Sequence, residues 1–322
     1  MENNPLPFAI KRTWLLRIYL VMPILLSVFL VDIIWYNQRL VFPYMGLSSL
    51  LLPLYLVVFE LPHIIGSFLS FADKEYVQHY KRALVRGLPV VLIVVSALLY
   101  FNLQVAFVCY LVATVYHVIK QQTGIGLLLG AARGRWFVWW SYSGIIVTSL
   151  LYVFFILPEL FPTNTLGLLN IAVLVGIVGF VVCGLVVRAK SVPKIARQYV
   201  VYTTLSLVLG YVFIMVGYLF LAFFLIRFIH DVTAFYFYIA HETNRNHQTV
   251  HNIIYQWLRH IPLPIFVLVP LISIGFAYAL RVGITGPAAV YVVVILFGFV
   301  HYYLESMIWK KDALHRQVIQ VQ

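Results

Sequence analysis

Apolar residues fill long, nearly unbroken stretches of this chain, and polar residues are confined to short intervals between them. A helix needs about 20 apolar residues to cross the hydrocarbon of a bilayer. On that measure the pattern predicts spans near 14–36, 44–71, 87–103, 105–131, 136–157, 167–188, 262–281 and 288–310. Nothing alternates apolar with polar in the way a membrane β-barrel requires.

The stretch 199–243 is too long for one crossing. About 45 residues at 1.5 Å each reach about 67 Å, roughly twice the hydrocarbon thickness. It contains no Pro or Asn, so Gly210 and Gly217 are the candidate hinges.

Charge decides how it folds. Lys11, Arg12 and Arg17 lie at the start of the chain and of the first span; Lys74, Lys81, Arg82 and Arg86 follow the second. Arg133 and Arg135 follow the fourth, and Arg188, Lys190, Lys194 and Arg197 the sixth. Arg245 and Arg259 follow the long stretch, and Lys310, Lys311 and Arg316 the last span. Loops 158–166 and 282–287 hold almost no Lys or Arg. Basic residues mark cytoplasmic loops, so an even number of crossings separates 197 from 245. The expectation is an all-α, polytopic transmembrane helical bundle of ten spans with both termini cytoplasmic. No linker, low-complexity segment or internal repeat divides it, so residues 1–322 read as one integral-membrane domain.

Composition agrees. Hydrophobic residues make up 63% of the 322 positions and charged residues 10%; a soluble domain carries about 25% charged residues. The net charge of +12 invites nucleic acid as a partner, but the basic residues sit in short inter-span clusters rather than on one soluble face. Cys109 and Cys183 lie in apolar runs and form no CxxC motif. They read as small buried hydrophobes. The basic start and first apolar run lack a small-residue cleavage site, and read as a retained span.

Four histidines fall inside predicted spans: His63, His117, His230 and His301. Ionisable groups inside a bilayer are costly and mark functional sites. Imidazole also suits iron, copper, zinc and nickel. With the charge-derived topology, all four helices run toward the cytoplasm. His63 lies ten residues before Asp73, His301 nine before Lys310 and His230 eleven before His241. Helical rise puts these three roughly 15 Å from the cytoplasmic edge, and a tilted helix brings His117 to the same depth. Four ligands converging at one level read as a metal site, for one ion or two.

Three acids accompany them. Glu60 precedes His63 by three residues, Glu305 follows His301 by four, and Asp231 follows His230 directly. Glu60 and Glu305 share a helix face with their histidines at those spacings, and all three carboxylates read as ligands, tautomer-fixing partners or proton carriers. His241, three turns beyond His230, reads as a fifth ligand or a gate. His79, His247, His251, His260 and His315 read as surface histidines. Arg227, one turn before His230, is expected to pair with Asp231 or Glu60. The neighbouring tyrosines read as part of an interfacial belt, since the chain has 22 of them.

The words Leu61-Pro62-His63, Phe228-Ile229-His230 and Val300-His301-Tyr302-Tyr303-Leu304-Glu305 resemble those of the Brp/Blh family of bacterial membrane carotenoid-cleaving dioxygenases. The chain departs from that family at Ile64-Ile65-Gly66-Ser67, where the family word continues with an acid. It also departs at Gln121, which replaces an acid, and at Val300, which replaces a Pro. The resemblance implies a bacterial inner membrane location and a non-haem iron centre ligated by His63, His117, His230 and His301. It further implies O₂-dependent cleavage of a carotenoid double bond to an aldehyde.

The reading is therefore a metal-dependent oxygenase with Fe(II), acting on an apolar substrate that enters from the lipid. Aromatic residues, 16% of the chain, would line its path. A di-iron desaturase or hydroxylase is a second class, but it needs HxxHH clusters, and the only HxxxH here is His247–His251. A transporter or ion-handling protein is the non-enzyme alternative; the inverted repeats usual in that class are not evident.

Overall fold

The computed structural model describes residues 6–46, 51–157, 162, 165–284, 286–310 and 313–322. Lys311, residues 47–50 of the second predicted span and most of the loop 158–166 lie outside the described residues.

Among the described residues, ten helices are long and apolar enough to cross a membrane. They are Arg12–Tyr36, Leu51–Ala72, Lys81–Phe101, Leu103–Leu128 and Arg135–Phe154, then Leu166–Lys190, Lys194–Met215, Leu219–Arg245, Ile265–Gly283 and Ala289–Ile308. They are called spans one to ten below. Large apolar side chains stand exposed along them, such as Ile93 on span three and Val175 on span six. Exposed apolar surface on this scale needs a non-aqueous environment, and the chain is an all-α integral membrane protein. Cys109 belongs to this exposed surface rather than to a core.

The stretch 199–243 is a hairpin, as its length demands. Span seven ends at Met215 and span eight starts at Leu219. The turn runs through Gly217, whose φ of +89° lies in the left-handed region that glycine enters without steric cost. Gly210 stays within span seven, where its bare backbone lies against Ile226.

The chain packs as two compact units. The first comprises Met1–Lys11, Pro53–Tyr110 and Asp231–Gln322. Span two packs against spans nine and ten, and span ten against span three. Leu61, Ile65 and Leu69 line one side of span two at helical spacing, and they meet Leu268, Val269 and Ala277 of span nine in one apolar core. The two ends of the chain meet in this unit: Ala9–Ile10 and Gln320–Val321 form a short parallel strand pair. Asn244 bonds the backbones of Phe8 and Val318, so it ties both terminal segments to the end of span eight. Arg245 pairs with Asp73 at 2.8 Å and with Glu75.

The second unit comprises Arg12–Leu52 and Leu111–His230. Span six packs against spans five and seven, and the start of span one against span seven. Gly184 permits the first of these approaches. A Cβ there would stand 2.6 Å from Thr204 Oγ1 and 3.0 Å from Trp140 Nε1, which themselves hydrogen-bond at 3.1 Å. Small residues at such crossings are how membrane helices come close. Gln122 of span four accepts from Tyr19 and Tyr199, and Asp32 caps the end of span one by accepting from Leu40 N, Phe42 N and the Tyr218 hydroxyl.

Candidate metal centre

In the first unit, span two delivers His63 and span ten delivers His301. Both are fully buried, with 1% and 0% exposure. Their rings stand 4.9 Å apart and nearly perpendicular, at 87°, and each offers a nitrogen within 4.8 Å of the other's. The approach of His63 is shaped locally: Leu56–Glu60 is a π-helical segment, after which regular helix resumes with Pro62 near its start. Such π-turns occur often at functional sites because they re-aim the residues that follow.

Each ring has a polar neighbour. Nδ1 of His63 is 3.2 Å from Oδ1 of Asp231. At His301 the argument runs through Ser67. Its hydroxyl donates to the Ile64 carbonyl at 2.6 Å and lies 2.9 Å from Nδ1 of His301. A hydroxyl has one proton. Having given it to Ile64, Ser67 accepts from Nδ1–H, and Nε2 of His301 carries the lone pair. That nitrogen is 3.9 Å from Oε1 of Glu305. Two ligands about 2.1 Å from one ion lie at most about 4.2 Å apart, so His301 and Glu305 fit a common cation. A metal-binding histidine usually gives its other N–H to a carboxylate or similar acceptor, and Asp231 and Ser67 are the polar groups beside Nδ1 of His63 and of His301.

Each buried acid receives a phenol. Tyr55 donates to Asp231, Tyr238 to Glu305 and Tyr110 to Glu60 at 2.9 Å. Glu60, Asp231 and Glu305 are each at most 3% exposed, and such donors offset part of the cost of burying a carboxylate. Tyr238, expected in an interfacial belt, instead serves Glu305, and Tyr55, Tyr110 and Ser67 are partners that no sequence motif marked. The available signals were spacing: Ser67 lies four residues after His63, and Tyr238 seven after Asp231.

In the second unit, span four and span eight bring His117 and His230 together. Their rings stand 5.0 Å apart at 84°, nearly the geometry of the first pair. His230 is 1% exposed. Arg227 is buried beside them, its guanidinium 5.8 Å from the Phe223 ring. His230 closes one unit and Asp231 opens the other, along one unbroken helix.

His241 belongs to neither pair. Its Nε2 lies 3.0 Å from the Tyr76 hydroxyl and its Nδ1 3.0 Å from Glu242, so both nitrogens are engaged. Eleven residues of helix also put it about 16 Å along the axis from His230. His315 is not a surface residue either. It is 2% exposed and stacks on Tyr76 at 4.0 Å and on His241 at 4.7 Å. Burial, with His241, Arg245 and His79 nearby, pushes it down to about 2.

Comparison with family models, with curated proteins and with solved structures finds no match to this chain.

Proposed function

We propose that this chain is a membrane-embedded non-haem iron oxygenase, with Fe(II), one ion or two, held by His63, His117, His230 and His301. The single observation that carries the reading is the His63–His301 pair: two buried rings from different spans, one beside Asp231 and one beside Ser67. The His117–His230 pair repeats the ring geometry.

Four neutral imidazoles bring no charge to a dication. Asp231 and Glu305 supply compensating charge, one through His63 and one as a direct neighbour of His301 Nε2. When bound, iron supplies an open position for O₂. The histidines would hold the iron, Asp231 and Ser67 stand beside Nδ1 of His63 and of His301, and the apolar surroundings exclude bulk water. The substrate class is an apolar, lipid-phase molecule, carotenoid-like by the family resemblance. Cleavage of its C=C bond by O₂ places one oxygen atom in each of two carbonyl products and needs no external reductant. We place the protein in a bacterial inner membrane with both termini cytoplasmic, which the charge pattern and the pairing of the terminal strands support.

Metal analysis of the purified protein and of His63→Ala, His117→Ala, His230→Ala and His301→Ala tests the reading. Iron in the parent and its loss in all four variants is expected, together with O₂-dependent loss of polyene absorbance when carotenoid is supplied in lipid. A parent protein without any transition metal, purified under metal-retaining conditions, would remove the proposal. Variants that keep metal but lose ion flux across vesicles would move the chain to the transporter class.

A further inference from the structure

The turn between spans six and seven carries a basic cavity that the metal centre does not explain. It measures about 390 Å³ and is lined by Arg188, Lys194, Arg197, Gln198, Val201 and Tyr202. Arg188 stands in the last turn of span six, and Lys194 and Arg197 in the first turn of span seven. The turn is held in place: Ser191 accepts from Ala132 N at 2.9 Å and Pro193 packs on Gly130.

Three cations that share one cavity repel one another unless an anion joins them. Among the described residues, the unit offers them none. Two acids fall in its residue range, Asp32 and Glu159. Asp32 is fully buried and accepts from Leu40, Phe42 and Tyr218, and Glu159 lies outside the described residues. Among the described residues, no acid pairs with Arg188, Lys194 or Arg197. The cavity is also amphiphilic. Arg197, Val201 and Leu205 follow one another at i, i+4 and i+8 on span seven, and Leu185 lies one turn below Arg188 on span six. Leu185 and Leu205 are about half exposed, at 52% and 49%. A charged rim therefore grades into apolar surface within two helical turns.

We propose that this cavity binds the phosphate headgroup of an anionic membrane lipid, with the acyl chains lying along Leu185 and Leu205. Basic pockets between transmembrane helices at the membrane surface take such headgroups. The inference is independent of the metal centre.

The full-length protein is reconstituted in zwitterionic nanodiscs, and its retention of added phosphatidylglycerol or cardiolipin is read by native mass spectrometry. Arg188→Gln/Lys194→Gln/Arg197→Gln is compared with Lys81→Gln/Arg82→Gln/Arg86→Gln, which removes as many charges from the other unit. Arg188→Lys/Arg197→Lys, which keeps the charge, guards against misfolding. The expected result is anionic lipid bound by the parent, the control and the Lys variant. The Gln triple variant should bind more weakly by about fivefold for each charge removed, and inorganic phosphate should not displace the lipid. Equal loss in the control, or no loss in the site variant, overturns the proposal. Phosphate that binds as tightly as the lipid makes this a free-anion site and overturns the lipid assignment.

Discussion

Ser67 fixes the tautomer of His301. The hydroxyl gives its only proton to the Ile64 carbonyl and so accepts from Nδ1–H of the imidazole. Nε2 is thereby held as a lone-pair donor 3.9 Å from Glu305. Replacing Ser67 with Ala removes the acceptor and leaves the ring free to turn or change tautomer. Loss of such an outer partner costs about 10–100-fold in metal affinity. Titration against a competing chelator is the measurement, with circular dichroism to show that helix content is kept. Unchanged affinity would sink the role assigned to Ser67.

Tyr238→Phe tests the second outer contact. It strips Glu305 of its phenol donor inside an apolar setting. Leaving a buried acceptor short of a hydrogen bond costs about 1–3 kcal/mol. Thermal unfolding in detergent should show that loss. Tyr236→Phe, whose parent ring meets Phe8 edge-on, serves as the comparison and should change little.

Gly217→Ala probes the turn that makes the hairpin. The residue sits at φ +89°, and a Cβ would come 3.1 Å from the Phe42 ring. Left-handed backbone costs a non-glycine residue about 1 kcal/mol or more, and the contact adds to it. A lowered unfolding temperature is expected, whereas Gly134→Ala, where a Cβ meets open space but φ is +149°, separates backbone strain from crowding.

His315 gives the C-terminal segment a pH dependence. Its ring is packed against Tyr76, Tyr80 and Phe71 on one side of the chain and His241 on span eight. Burial first, then His241, Arg245 and His79, hold it neutral when folded. The unfolded segment takes up a proton near pH 6.5. The folded value is depressed, so the stability is fully present above that pH and declines as pH falls through it. Amide exchange of residues 314–322 should speed up on acidification. In His315→Phe, which keeps a ring and removes the titration, that dependence should flatten.

The hydrophobic pattern together with the placement of Lys and Arg located the ten crossings, because a bilayer imposes a minimum apolar length on each helix and basic residues mark one side. The hairpin at 199–243 was legible for the same reason. The positions of His63 and His301 on their helices were also legible, because an ionisable group in an apolar run stands out. Their partners were not. Tyr55 and Tyr110 reach acids 176 and 50 residues away in sequence, and no spacing rule encodes a contact between separate spans. His241 and His315 show the limit from the other side. Composition reads one as a ligand and the other as surface, while packing stacks them together at the helix ends. Sequence determined that these helices exist and which polar groups they carry inward, since both follow from transfer free energy along one dimension. Which groups meet, and which nitrogen of each imidazole keeps its proton, depends on how helices pack in three dimensions, and only the tertiary structure decided it.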